Sequence, residues 1–162
     1  MDEMAIVRAV HVVGVVLWIG GVAFVTTVLL PAIRQLKSPE ERVEFFESIE
    51  RSFAWQARAS TLLVGVSGFY MTHVWNLWAR FSDSAFWWMT AMVGIWLLFS
   101  VMLFIAEPLF LHRWFLESAK RQPEVVFRRI ERLHRILLVV SLLTVVGAVS
   151  GSHGWQFFNG YF

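Results

Sequence analysis

The chain has 162 residues, of which 57% are hydrophobic and only 16% charged, with a mean hydropathy of +0.60. Soluble domains carry about 25% charged residues, so the composition excludes a soluble enzyme and a disordered chain and leaves an integral membrane protein. The absence of cysteine excludes disulfides, thiolate metal sites, iron–sulfur clusters and cysteine nucleophiles.

A hydrocarbon core of ~30 Å needs ~20 mostly apolar helical residues, and four stretches qualify. The first covers about 4–30 and is expected to end at Pro31; it opens with Asp2 and Glu3 and reads as a span, not a cleavable signal peptide. The others cover about 57–78, 86–111 and 136–157. The expected fold is all-α: one domain over 1–162, a four-helix up-down-up-down membrane bundle with two long helical connections.

Basic residues set the orientation. Arg34, Lys37, Arg42, Arg51 and Arg58 fall between the first two spans, and Arg113, Lys120, Arg121, Arg128, Arg129, Arg132 and Arg135 between the last two. Only Arg8 and Arg80 lie elsewhere. Positive loops stay inside, so both connections are expected in the cytoplasm and both termini outside, in an inner cell membrane. In the first connection, Ser38-Pro39-Glu40-Glu41 reads as a helix start. Phe45, Phe46, Ile49 and Phe53 then follow at helical spacing. Gln122-Pro123-Glu124 opens the second, with Val126, Ile130, Leu133 and Leu137 on one stripe.

The two halves echo one another. Val66-Ser67-Gly68 precedes His73-Val74-Trp75, and Val149-Ser150-Gly151 precedes His153-Gly154-Trp155. Chance resemblance competes with a duplicated hairpin as the source of the echo. In an up-down bundle the second and fourth helices lie diagonally, which lets His73 and His153 face one another.

Topology sets His11, His73 and His153 at similar depth near the outer edge of three different spans, and His112 and His134 at the inner edge. Ionisable groups at membrane depth usually face the bundle interior with a functional partner, and imidazole suits iron, copper and zinc. A haem needs axial imidazoles, an apolar and aromatic slot, and small residues where helix backbone meets the flat ring. Gly14 near His11, Gly65 and Gly68 before His73, and Gly147, Gly151 and Gly154 around His153 meet that need. Close helix packing uses the same residues. Arg8, one turn from His11, suits a propionate. Trp75, Trp78, Trp87, Trp88 and Trp155 form the aromatic belt expected at an interface. His112-Arg113 and His134-Arg135 offer a second, inner haem site, or simply interfacial anchors. Glu107-Pro108 holds the only carboxylate well inside a span, read as the partner of a cytoplasmic arginine. The competing metal is copper, held by the outer histidines with Met4 and Met71 from a group that also includes Met1, Met89 and Met92.

The segment from His11 through Trp18 to Gly20-Gly21 resembles the first-helix signature of the copper-resistance D protein family, a histidine followed seven residues later by tryptophan and then a small-residue pair. Seven residues put His11 and Trp18 on one face. Arg58 and Gly68 also fit the family's second helix. The wider group is similar to the bacterial membrane protoporphyrinogen oxidases, which implies a haem b or metal ligand role for His11. Those oxidases carry a functional lysine in their third helix, and 86–111 contains none, so oxidase activity ranks below the other readings. The expected function is a cytochrome b-like haem b protein in electron transfer, with two of His11, His73 and His153 as axial ligands, lined by Arg8, Trp18, Gly68 and Gly151. Copper handling is the alternative, and a non-catalytic membrane subunit docking a partner through its cytoplasmic helices is another. The expected partners are the lipid bilayer, a quinone or membrane redox protein, and a second copy in a homodimer, without nucleic acid.

Overall fold

The computed structural model describes residues 2–35, 38–111, 118 and 121–155, and among these it contains helices and turns but no strand. The first apolar run forms α1 (Asp2–Phe24), a π-helical turn (Val25–Leu29) and a last helical turn, α2 (Leu30–Ile33). Pro31 therefore does not end the helix. The wide turn absorbs one extra residue and leaves Pro31 in a first-turn position, where its missing N–H is not needed. Beside that turn the Thr26 and Thr27 hydroxyls donate to the carbonyls of Val22 (2.7 Å) and Ala23 (2.8 Å).

Next comes α3 (Pro39–Val74), 36 residues long. Its start is a reciprocal cap: the Glu41 N–H donates to Ser38 Oγ and the Ser38 N–H to Glu41 Oε2. It stops where Asn76 takes a left-handed φ of 52° and the Leu77 N–H reaches back to the Thr72 carbonyl. Two 3-10 turns (Trp78–Ser82 and Ser84–Phe86) lead into α4 (Trp87–Val101), which continues as a π-helical stretch (Met102–Leu111) around Pro108. Proline lacks the N–H for a regular turn and its ring crowds the carbonyl four residues back, so a widened helix fits there. Finally α5 (Pro123–Ser152) ends as α3 does, with Gly154 at φ 88° and the Trp155 N–H on the Ser150 carbonyl. The echo between the halves thus extends to the helix terminus. Relative to that terminus, however, His73 and His153 are displaced by two positions.

Among the described residues three stretches are long and apolar enough to cross a membrane: Glu3–Ile33, Ser84–Leu109 and Pro123–Ser152. The fourth expected span, the C-terminal half of α3, is less apolar because its inward face carries Ser60, Thr61, Ser67 and Thr72, all buried. Its outward face is Leu62, Leu63, Val66, Phe69 and Val74. The same inversion holds on α5, with Ser141, Thr144 and Gly147 inside and Val139, Leu142, Leu143 and Val146 outside. In lipid no hydrophobic force drives apolar side chains inward, and small and polar residues take the helix contacts. This distribution is that of a membrane protein.

Those contacts follow one pattern, a ring seated on a glycine. The Trp96 indole covers Gly65, Trp87 covers Gly147, Trp88 covers Gly151, and Phe53 covers Gly21. A Cβ at Gly65 or Gly147 would stand 2.6 Å from the facing indole. The tryptophans of the expected outer belt at 87 and 88 are therefore packing rings between α4 and α5. At the basic end Phe46 and Phe127 join Val25, Leu29, Leu30 and Ile33 in a second apolar cluster. Of the predicted stripes there, Phe45 and Leu133 are exposed (48% and 40%), whereas Phe127, outside the stripe, is fully buried. Arg34–Glu131 (3.0 Å) and Arg42–Glu124 (3.3 Å) bridge this end to α5.

Gly65→Ala should lower stability by about 1–3 kcal/mol, because Trp96 is pinned by its Nε1–H bond to the Thr61 carbonyl (2.9 Å). Gly94→Ala, which meets open space, should be neutral or stabilising by up to ~1 kcal/mol. Denaturant unfolding of both variants in detergent micelles checks the contrast.

Candidate functional site

His11 leaves α1 toward α3, and its ring lies against Gly68, where a Cβ would come within 3.1 Å of Cε1. Its Nδ1 lies 3.1 Å from the Val64 carbonyl and 3.0 Å from Ser67 Oγ. A carbonyl only accepts, so Nδ1 carries the proton. The Ser67 hydroxyl donates to the Leu63 carbonyl (2.6 Å) and receives the imidazole N–H on its lone pair. Fixing one ring nitrogen as donor leaves Nε2 as a lone pair, the arrangement that orients imidazoles toward a metal.

Around this contact, Arg8 stacks its guanidinium over Trp75 at 5.0 Å and the Tyr70 hydroxyl donates to Glu3 (2.9 Å). Trp18 shares the face of His11, is 4% exposed, and meets Phe99 edge-to-face at 4.9 Å. The other two histidines expected at this level do not join this site. From Val64 to His73 is nine residues, about 180° around a helix turning ~100° per residue, so His73 leaves the opposite face of α3 and is exposed. His153, also exposed, folds its Nδ1 onto the Val149 carbonyl (2.7 Å). Among the described residues no group of three metal-binding side chains forms. Gly68 seats His11 itself, and Gly151 seats Trp88. His112 lies outside the described residues.

The larger constellation sits at the opposite end. A cavity of about 230 Å³ opens between α1, α3, α4 and α5, walled by Trp18, Phe46, Phe53, Phe99 and Leu137 and entered by Glu47, Glu50, Glu107 and His134. Glu107 is paired with Arg58 (2.9 Å), and the Arg58 Nε–H donates to the Leu103 carbonyl (3.1 Å) in the π-helical stretch. The widened helix around Pro108 thus has a guanidinium bonded to its backbone and to its one carboxylate. His134 donates its Nδ1–H to the Ile130 carbonyl (3.0 Å) and packs edge-on against Phe46. Glu50, which precedes the expected span on α3, is pushed up from 4.5 to about 7 by burial, then by the Glu107 and Glu47 carboxylates.

Glu107 pairs with an arginine as its sequence position suggested. Ser67 and Glu50 had no assigned role. The signal for Glu50 was present, since it falls four residues after Phe46 and three before Phe53, a carboxylate on an apolar seam. Ser67 stood in the repeated Val-Ser-Gly, without any clue that its neighbour was His11.

No family model, curated protein or solved structure matches this chain.

Two outcomes are expected here. Folded Glu50 keeps its proton to about pH 7 whereas the unfolded group loses it near 4.5, so its contribution to stability is fully present below 4.5 and lost as pH rises to 7. Glu50→Gln should flatten that part of a stability–pH profile. Arg58→Met and Glu107→Gln should each cost about 1–3 kcal/mol by stranding a polar partner, and the double variant should recover part of the loss in a double-mutant cycle.

Proposed function

We propose that this chain is a haem b protein of the bacterial inner membrane, with His11 as the protein's imidazole ligand, exchanging electrons between a quinone or membrane partner and an acceptor at the outer face. The reading rests on one observation: a partly buried imidazole, donor-locked at Nδ1 by the Val64 carbonyl and Ser67, with Nε2 left as a lone pair. In this reading four helices span the bilayer, the fourth being the outer half of α3. Its polar face is covered by its neighbours, and its apolar face is turned outward. Twelve of the fourteen basic residues lie in the two connections, which supports cytoplasmic connections and outer termini.

Of the three histidines, His11 alone would hold the group, since His73 and His153 are exposed and lie apart from it. The ring seats at Gly147 and Gly151 are filled by tryptophans and drop out of the cofactor slot. Arg8 remains the cation one turn outward. When bound, haem supplies one-electron redox chemistry. The chain's own residues orient the imidazole through Nδ1 and set a guanidinium one turn away. Copper gains no observation of its own from this geometry.

Purified from haem-sufficient cells, the protein should show a reduced-minus-oxidised b-type spectrum. His11→Ala should lose it, while His73→Ala and His153→Ala keep most of it. A preparation that stays colourless after haemin is added overturns the reading.

A further inference from the structure

The cavity at the basic end has a composition that the His11 site does not explain. Its walls are chiefly aromatic and aliphatic, yet a carboxyl group and an imidazole on different helices, Glu50 and His134, both border it. Ligand pockets combine an apolar lining with a few convergent polar groups in this way. At about 230 Å³ it falls below the ~300–1,000 Å³ of pockets that hold drug-sized molecules. That size suits a single ring whose tail stays outside. Leu133 lines the cavity and is itself 40% exposed, which makes the cavity continuous with the apolar outer face of α5.

The polar groups define the ring's chemistry. His134 spends its N–H on the Ile130 carbonyl, so Nε2 offers an acceptor to a hydroxyl. Glu50, protonated over much of the range below neutrality, offers a donor to a carbonyl or a second hydroxyl. Glu107 is already engaged by Arg58. Trp18, also in the wall, has an indole N–H with no acceptor among the described residues. A charged ligand is disfavoured by so apolar a lining, and a plain hydrocarbon would leave these groups unanswered.

We infer that this cavity binds the head of a lipid-soluble hydroquinone or quinone, its hydroxyl on His134, its other oxygen near Glu50, and its alkyl tail leaving past Leu133. Only the electron-transfer role of such a ligand rests on the haem reading; binding does not.

The test is binding of decylbenzoquinol to the purified full-length protein in nanodiscs, with decylbenzene as the apolar control and haem content read separately from the spectrum. The quinol should bind saturably and at least tenfold more tightly than decylbenzene. His134→Phe, which keeps a ring but removes the acceptor, should weaken the quinol about tenfold and leave decylbenzene unchanged. Ala57→Leu, which adds bulk at a buried wall position, should abolish saturable binding of both. Equal affinity for quinol and decylbenzene, or His134→Phe and Ala57→Leu both within twofold of the parent, overturns the inference. Saturable quinol binding by a colourless preparation upholds it while removing the haem.

Discussion

In hydrocarbon a leucine gains nothing by turning inward, so helices must be held by shape and by polar groups satisfied within the protein. Here the shape is supplied by rings on glycines. Each of Trp96, Trp87, Trp88 and Phe53 takes the volume that a side chain at Gly65, Gly147, Gly151 or Gly21 would occupy, and His11 does the same at Gly68. The position of His11 therefore repeats a contact that recurs at Gly21, Gly65, Gly147 and Gly151. An imidazole replaces the indole, and its nitrogen finds a carbonyl that an indole in the same seat need not find.

The polar inventory follows the same constraint. Ser60, Ser67, Thr72 and Thr144 return their hydroxyls to carbonyls one turn back, which satisfies them at modest cost. Arg58 and Glu107 neutralise each other at the edge of the apolar region. Both wide turns lie beside prolines, at Pro31 and Pro108. Glu50 stands outside this scheme. Its carboxyl is buried near two others with no ion pair to a cation among the described residues, and the cost appears as a proton retained to about pH 7.

Much of this was legible in the sequence. Hydropathy and length gave the helices, and Ser38-Pro39-Glu40-Glu41 gave the start of α3 together with the residues of its cap. The shared face of His11 and Trp18 followed from their spacing of seven. What could not be read was what lies opposite. The glycines admitted either helix packing or a flat cofactor, and the occupants turned out to be side chains from distant parts of the chain. Equal depth of His11, His73 and His153 said nothing about azimuth, and azimuth separates them. Pro31 looked like a stop because a one-residue widening at Val25–Leu29 leaves no mark that periodicity detects.

The unbroken length of α3 has a mechanical meaning. Thirty-six residues make a rod of about 54 Å at 1.5 Å per residue, against a hydrocarbon thickness of ~30 Å. Glu50 and Ser67 sit on that one rod, about 25 Å apart along it, with no proline between them. A rotation or tilt imposed at the cavity is thus delivered to the hydroxyl that holds His11 without passing through a joint. The wall of the cavity and the seat of His11 are two stations on one stiff rod.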